Sequence, residues 1–285
     1  MHFPLGRQNF YNEIRQSDDQ IDLAKAALYI AQEEYPDLEV AAYLNALDVM
    51  ATEVEERLPV ERYPLRILKG INQYLYDDLG YTGNTKDYYN PGNSFLNDVI
   101  DQRIGIPITL SLVYLEIARR LDFPMVGVNM PGHFLIRPNF DDAGIFVDAF
   151  HQGEVLFEQD CEERLTQVFG RPVQLQSSFT APVSHKQLLA RMLTNLKFIY
   201  LNNQDLPKAL AAVERILLLF SDAPQERRDR GLLYYQLGYR SQASQDLEMY
   251  LAMVPYAKDG GMIRQLLETM RSQERRSGGA EELGS

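Results

Sequence analysis

The chain has 285 residues, 45% hydrophobic and 24% charged, enough for one large globular domain or two ordinary ones. Lys and Arg total 28 against 40 Asp and Glu, and the formal net charge of −12 disfavours nucleic acid and anionic membrane, whose phosphates are neutralised by clustered cations. A single cysteine, Cys161, excludes an internal disulfide and a multi-cysteine metal site.

The start, Met1 to Arg7, holds no apolar core of signal-peptide length, and the longest apolar run, Ile104 to Leu115, is too short to span a bilayer. The expectation is a soluble cytoplasmic protein. From Ser17 to about Gly80 the pattern is helical. Ser17 and Gln20 form a capping-box pattern ahead of Ile21, Ala24, Leu28 and Ala31 at helical spacing. A second helix is expected from Val40 to Arg57. A third should carry Leu65, Leu68, Ile71, Leu75 and Leu79 inward and end near Gly80.

Tyr81 to Pro91 reads as a loop, with Tyr88 and Tyr89 as candidates to line a pocket mouth. A short helix follows, from Asn93-Ser94 to Ile100. Gly105 breaks it, and Pro107, at a favoured first-turn position, opens a largely buried helix to about Leu121. Asn93, Asn97, Asp101 and Arg103 are expected to brace the loop before Gly105; Asn93, Asn97 and Arg103 are also candidate binding residues.

The periodicity then shortens. Met125 to Val128, His133 to Ile136 and Ile145 to Ala149 read as strands, Glu154 to Leu156 as an extension, and Gln159 to Val168 as helix. This order suggests an antiparallel sheet on a buried helix, an α+β fold. Arg171 to Pro182 reads as a linker. Beyond it Tyr200 and Tyr234 stand 34 residues apart, and Ile199/Leu233, Ala209/Ala243, Val213/Leu247 and Leu217/Leu251 share that offset. These spacings resemble tetratricopeptide repeats, the second unit matching better because Lys197 replaces the small residue that corresponds to Gly231. The tail from Arg271 to Ser285 is charged and Gly-rich, and disorder is expected there.

A buried helix, a strand carrying His133 and a strand carrying Asp148 can serve nucleophilic catalysis. The histidine is then general base and the carboxylate fixes its tautomer. A nucleophile belongs at the helix N-terminus, where the dipole stabilises a thiolate. In this order of elements the chain resembles the transglutaminase-like superfamily, with its Cys, His and Asp, and more closely the SirB-one branch. The matching pieces are Asn93-Ser94-Phe95-Leu96-Asn97, Arg103-Ile104-Gly105-Ile106-Pro107-Ile108, Pro131-Gly132-His133-Phe134 and Val147-Asp148-Ala149-Phe150. They cover roughly Asn93 to Leu165, and the repeat segment fits that branch too. The resemblance implies a transglutaminase-like, papain-like core over residues 1–170 with a helical N-terminal layer. An all-α tetratricopeptide-like module follows over 183–270, then the tail, 271–285.

One departure bears on mechanism. Leu121-Asp122-Phe123-Pro124 resembles the superfamily's Leu-Gly-Ile-Pro turn, and counting back puts the implied cysteine near Pro107, where none exists. The nearest hydroxyls are Thr109 and Ser111, weak nucleophiles unless a base removes their proton. Two readings follow. In the first, a non-catalytic protein binds a protein or peptide partner through the repeat module, with Tyr200 and Tyr234 as candidate contacts. In the second, a hydrolase or acyltransferase uses Ser111 or Thr109 with His133 and Asp148. The missing thiol tilts the balance to the first, in which His133 bonds Asp148 as a retained framework and a pH-sensitive pair. No cofactor is called for. His151 with His133 and Asp148 lacks zinc-ligand spacing, Cys161 reads as a packing residue, and His2 and His185 read as incidental.

Overall fold

The structure, a computed structural model, describes residues 4–140 and 144–281, with side chains described as far as residue 272; His2 and the last four tail residues lie outside the described residues. Helix α1 (Leu5–Glu13) is short and mostly polar, so apolar periodicity does not mark it. It packs against α2 (Leu23–Gln32) through buried Phe10, and Arg7 forks onto Glu33. The cap of α2 is Asp22, whose carboxylate accepts from the Lys25 N–H at 3.0 Å. The capping box expected at Ser17 is not made; Ser17 opens a 3₁₀ turn over Asp18–Gln20.

Helix α3 (Val40–Arg57) has the expected bounds. Helix α4 (Pro64–Asn72) continues into a π-helical turn, Gln73–Asp78, that buries Tyr74, Leu75 and Tyr76. Its inward face is set by Ile67, Leu68 and Ile71, a direction that rotates away from Leu65, which is exposed rather than inward. Within the expected loop, β1 (Thr82–Gly83) pairs in parallel with β2 (Ile104–Gly105), and α5 (Leu96–Gln102) lies between them in sequence.

Helix α6 (Pro107–Arg120) is the centre of the first unit. Pro107 occupies its first turn, and every residue from Ile108 to Ala118 is buried. It packs on α2, α3, α4 and α5 and on two strands of the sheet, and its Tyr114 hydroxyl reaches Asn72 Oδ1 at 3.0 Å. Each Leu, Ile or Val enclosed this way contributes roughly 1.5–3 kcal/mol. The sheet is an antiparallel meander of β3 (Met125–Val128), β4 (Leu135–Pro138), β5 (Ile145–Asp148) and β6 (Glu154–Phe157). Strand β4 starts two residues later than expected, which leaves His133 in the preceding loop. Helix α7 (Glu158–Phe169) sets Cys161 and Leu165 among Val128, Leu135, Phe146 and Leu156.

The expected linker is packed rather than free. It contains α8 (Ser177–Thr180), and Val173, Leu175 and Phe179 lie against the cluster of Cys161 and Leu165. Those apolar residues outweigh the prolines and serines that suggested a spacer.

The chain divides into two compact units, Met1–Met192 and Leu193–Ser285, and the division falls inside α9 (His185–Asn202). The second unit continues with α10 (Leu206–Leu219), α11 (Pro224–Gln236), α12 (Arg240–Met253) and α13 (Gly260–Glu281). The 34-residue repeat falls on α9 with α10 and on α11 with α12, and α11 and α12 pack as a helical hairpin. Ala209, Ala243, Val213 and Leu247 are all buried, and a Cβ on Gly231 would stand 2.8 Å from Leu247 Cγ. Its counterpart Lys197 is buried instead as an ion pair, its Nζ 2.7 Å from Glu226 Oε1 and 3.1 Å from Asp229 Oδ2. The tail expected to be disordered from Arg271 is helical as far as Glu281. Its Arg, Gln and Glu residues are good helix formers, which composition alone does not weigh.

Candidate functional site

Of the expected pair, Asp148 takes its expected place on the strand and His133 does not. Asp148 ends β5 and is 2% exposed. Its Oδ1 accepts the backbone N–H groups of Phe150 and His151 at 3.0 and 3.3 Å, capping the turn Ala149–His151. Its Oδ2 takes His151 Nδ1 at 2.8 Å and the Arg164 guanidinium from α7. Burial alone raises a carboxyl pKa, but the hydrogen bonds and charges of His151 and Arg164 outweigh it, so the Asp148 pKa lies below the ordinary value. Arg164 also reaches Glu154.

His133 makes no side-chain hydrogen bond among the described residues, so the expected His133–Asp148 pair is not formed. The turn through Pro131 and Gly132, closed by His133 N–H on the Met130 carbonyl at 2.9 Å, holds it before the strand. Asp148 has spent its acceptors on His151 and Arg164. Burial first, then the Arg164 charge, push the His133 pKa below the ordinary value, and the opposing pull of Asp148 does not restore it. The pH-sensitive pair expected of His133 and Asp148 is therefore not made, and the shift of His133 is downward.

The two candidate nucleophiles are enclosed. Thr109, fully buried, donates to the Asn93 carbonyl at 2.7 Å and accepts the Ile106 N–H at 3.1 Å, which caps α6. Ser111 is fully buried, and its Oγ has no hydrogen-bond partner among the described residues. Neither hydroxyl is bonded to His133. A buried hydroxyl without a partner costs about 1–3 kcal/mol. Ser111→Ala is therefore expected to leave stability unchanged or raise it by up to about 1 kcal/mol, read as the midpoint of urea unfolding.

The other candidates are mainly structural. Asn93 donates to the carbonyls of Asp87 and Tyr88 and accepts from Asn84, fastening the loop. Asn97 donates to Asp98, Asp101 accepts from Tyr43, and Arg103 donates to the Leu79 carbonyl at 2.8 Å. The single network expected of these residues is thus several separate braces. Tyr88 packs edge-on against Phe150 at 6.2 Å and against Tyr89, and both tyrosines are exposed. Cys161 is fully buried, and burial pushes its thiol pKa up to about 11. His185 Nδ1 lies 3.0 Å from the Ile21 carbonyl, and its backbone N–H donates to Asp18. Tyr200 is 5% exposed, so its ring packs in the module rather than facing a partner; Tyr234 is half-buried and donates to Glu214. Among the described residues no group of three or more His, Cys, Asp or Glu is placed to hold a metal ion.

Arg164 is the functional-site residue the sequence does not mark, because nothing in the spacing of α7 links it to β5. His151 is marked by the sequence only as a possible metal partner of His133; the structure makes it a partner of Asp148, whose side chain caps the turn that carries it.

A buried helix under an antiparallel meander, with a histidine and an aspartate after it, is the fold class of the transglutaminase-like proteins. The chain belongs to the transglutaminase-like superfamily, whose model matches residues 41–194, and a tetratricopeptide-repeat model matches residues 196–268. A UPF0162 protein of Xylella fastidiosa is 38% identical over 262 residues, 89% of this chain and 92% of its own length. A UPF0162 protein of Pseudomonas aeruginosa is 30% identical over 231 residues, 81% of this chain and 84% of its own length. The human F-box only protein 21 is 33% identical over 184 residues, 61% of this chain and 28% of its own length. The SirB-one resemblance read from the motifs agrees with these relatives. No solved structure matches the chain.

Proposed function

We propose that the protein is a cytoplasmic, non-catalytic member of its superfamily that binds a protein or peptide partner through the repeat module. One observation carries the reading: both hydroxyls available to replace the missing thiol are enclosed, and the histidine that would activate them bonds neither. Tetratricopeptide repeats generally mediate protein–protein interaction, and among the described residues no helix is long and apolar enough to cross a membrane.

A contact surface is suggested by Phe198, 58% exposed, and Leu201, three residues on along the same face of α9. Their counterparts 34 residues later, Leu232 and Tyr235, pack against the cluster of Leu247 and Ile263. Exposed apolar pairs at helical spacing suit a peptide or helix laid along the repeats. In a pull-down with full-length protein, Phe198→Ser with Leu201→Ser is expected to lose the partner at unchanged melting temperature. An unchanged partner set would remove this surface from the account.

A further inference from the structure

The first unit holds a pocket that the reading above does not use. Its volume is about 370 Å³, within the range of small-ligand sites, and it lies between the turn before α2, helix α6, strand β3 and the start of α9. Ile21, Leu115 and Leu188, all buried, give it an apolar wall. Three carboxylates line it, Asp19, Asp22 and Glu116, against one guanidinium, Arg119. His185 borders it too, its Nδ1 turned to the Ile21 carbonyl at 3.0 Å.

Two features of the wall are left without a partner. The first is on Glu116, 2% exposed on α6. Its Oε2 accepts from Arg119 at 2.9 Å and from Arg120, while its Oε1 accepts from no described residue. Among the described residues the unbonded side-chain oxygens sealed from the surface are those of Ser94, Asn97 and Ser111. Glu116 Oε1 is not one of them, so it opens on the pocket that the residue lines. The second feature is the free edge of the sheet. Strand β3 is the outer strand of the meander, and on its β4 side the Pro124 carbonyl accepts the Asn139 N–H at 2.8 Å. Strand alternation then turns the N–H and C=O groups of Met125 and Gly127 the other way. The Gly127 carbonyl accepts the Val183 N–H at 2.9 Å; the Met125 N–H and C=O and the Gly127 N–H have no partner among the described residues.

We propose that this pocket takes the free amino end of a peptide chain. The terminal ammonium sits against Glu116 Oε1 and the Asp22 carboxylate, and the first peptide unit pairs with Met125 as a short added strand. A chain end fits where a through-running strand does not, because Pro182 and Val183 already occupy the edge beyond Met125. Carboxylates outnumber the guanidinium in the lining, which favours an ammonium over a free carboxylate.

The test is the shift of the Met125 and Gly127 backbone amides of full-length protein as Ala-Ala-Ala amide, its N-acetylated form, alanine or ethylamine is added. At about pH 7 the free α-amino group is charged, and saturable shifts are expected with the first peptide. Acetylation removes that charge, and alanine and ethylamine lack the peptide unit, so each is expected to bind at least about tenfold more weakly. Glu116→Gln keeps the side-chain shape and is expected to weaken the peptide at least about tenfold. Asp22→Asn, which keeps the cap of α2, is expected to weaken it in the same direction and reads the loss where Glu116→Gln fails to fold. No saturable shift at millimolar peptide overturns the proposal, and so does equal binding of the free and acetylated peptides. Equal binding of alanine or ethylamine overturns it too, because the pocket is then a general amine site. Unchanged affinity in both variants has the same force. None of these outcomes depends on Phe198 or Leu201, so failure here and failure of the repeat-module reading are told apart.

Discussion

Arg164→Met is expected to cost about 3–5 kcal/mol of stability in the first unit, the range for removing one partner of a buried ion pair. The residue spans two elements: its guanidinium bonds Asp148 at the end of β5 and Glu154 at the start of β6, from a position on α7. Without it Asp148, 2% exposed, retains the His151 ring and two backbone N–H groups around a charge that has lost its cation. The pH dependence follows from the direction of the Asp148 shift. A carboxyl pKa lowered by folding gives stability that is fully present above the unfolded value of about 3.9 and lost as pH falls through the folded value. Urea titrations from pH 7 to pH 3 are therefore expected to show a steeper acid loss in wild type than in Arg164→Met. Parallel curves would mean that Arg164 does not set that pKa.

Gly153→Ala is the second large effect, at about 3 kcal/mol. Gly153 has φ +70°, which costs a residue with a Cβ roughly 1–2 kcal/mol. It is also crowded: a Cβ there would lie 2.1 Å from Asn72 Oδ1 and 2.7 Å from Tyr76 Cε2. Asn72 donates to the Gly153 carbonyl at 2.7 Å and accepts from Tyr114, so its displacement disturbs the join between α4, α6 and the turn after Asp148. Gly170 supplies the internal comparison, having φ +65° with nothing within 4 Å of an added Cβ. Gly170→Ala is expected to show the backbone cost alone. Equal unfolding midpoints for the two variants would refute the crowding argument.

How much of this was legible depends on the range of the interaction that decides each feature. The bounds of α3 and β3, the proline start of α6 and the 34-residue repeat all follow from local spacing, and the structure reproduces them. Helix α1 was not legible because its few apolar residues make no stripe; its burial comes from what α2 presents to it. The spacing of Ser17 and Gln20 points to a cap five residues too early, because the structure places Asp22 at the start of α2. The site failed in the same way. His133 and Asp148 were found, but the residue that claims Asp148 sits 16 positions away on a helix whose spacing carries no sign of the contact. The motif Pro131-Gly132-His133-Phe134 names a loop rather than a strand start, because Pro131 and Gly132 set a turn that delays β4.

The retained parts fit one account: His133 and Asp148 are present in the motifs but not paired, while Pro107 occupies the helix start where the family pattern puts its thiol. The most direct test is turnover of ester, amide and amine-transfer substrates by wild type and His133→Ala, side by side. The account predicts the same background rate for both proteins on every substrate. Turnover by wild type that His133→Ala abolishes would contradict it.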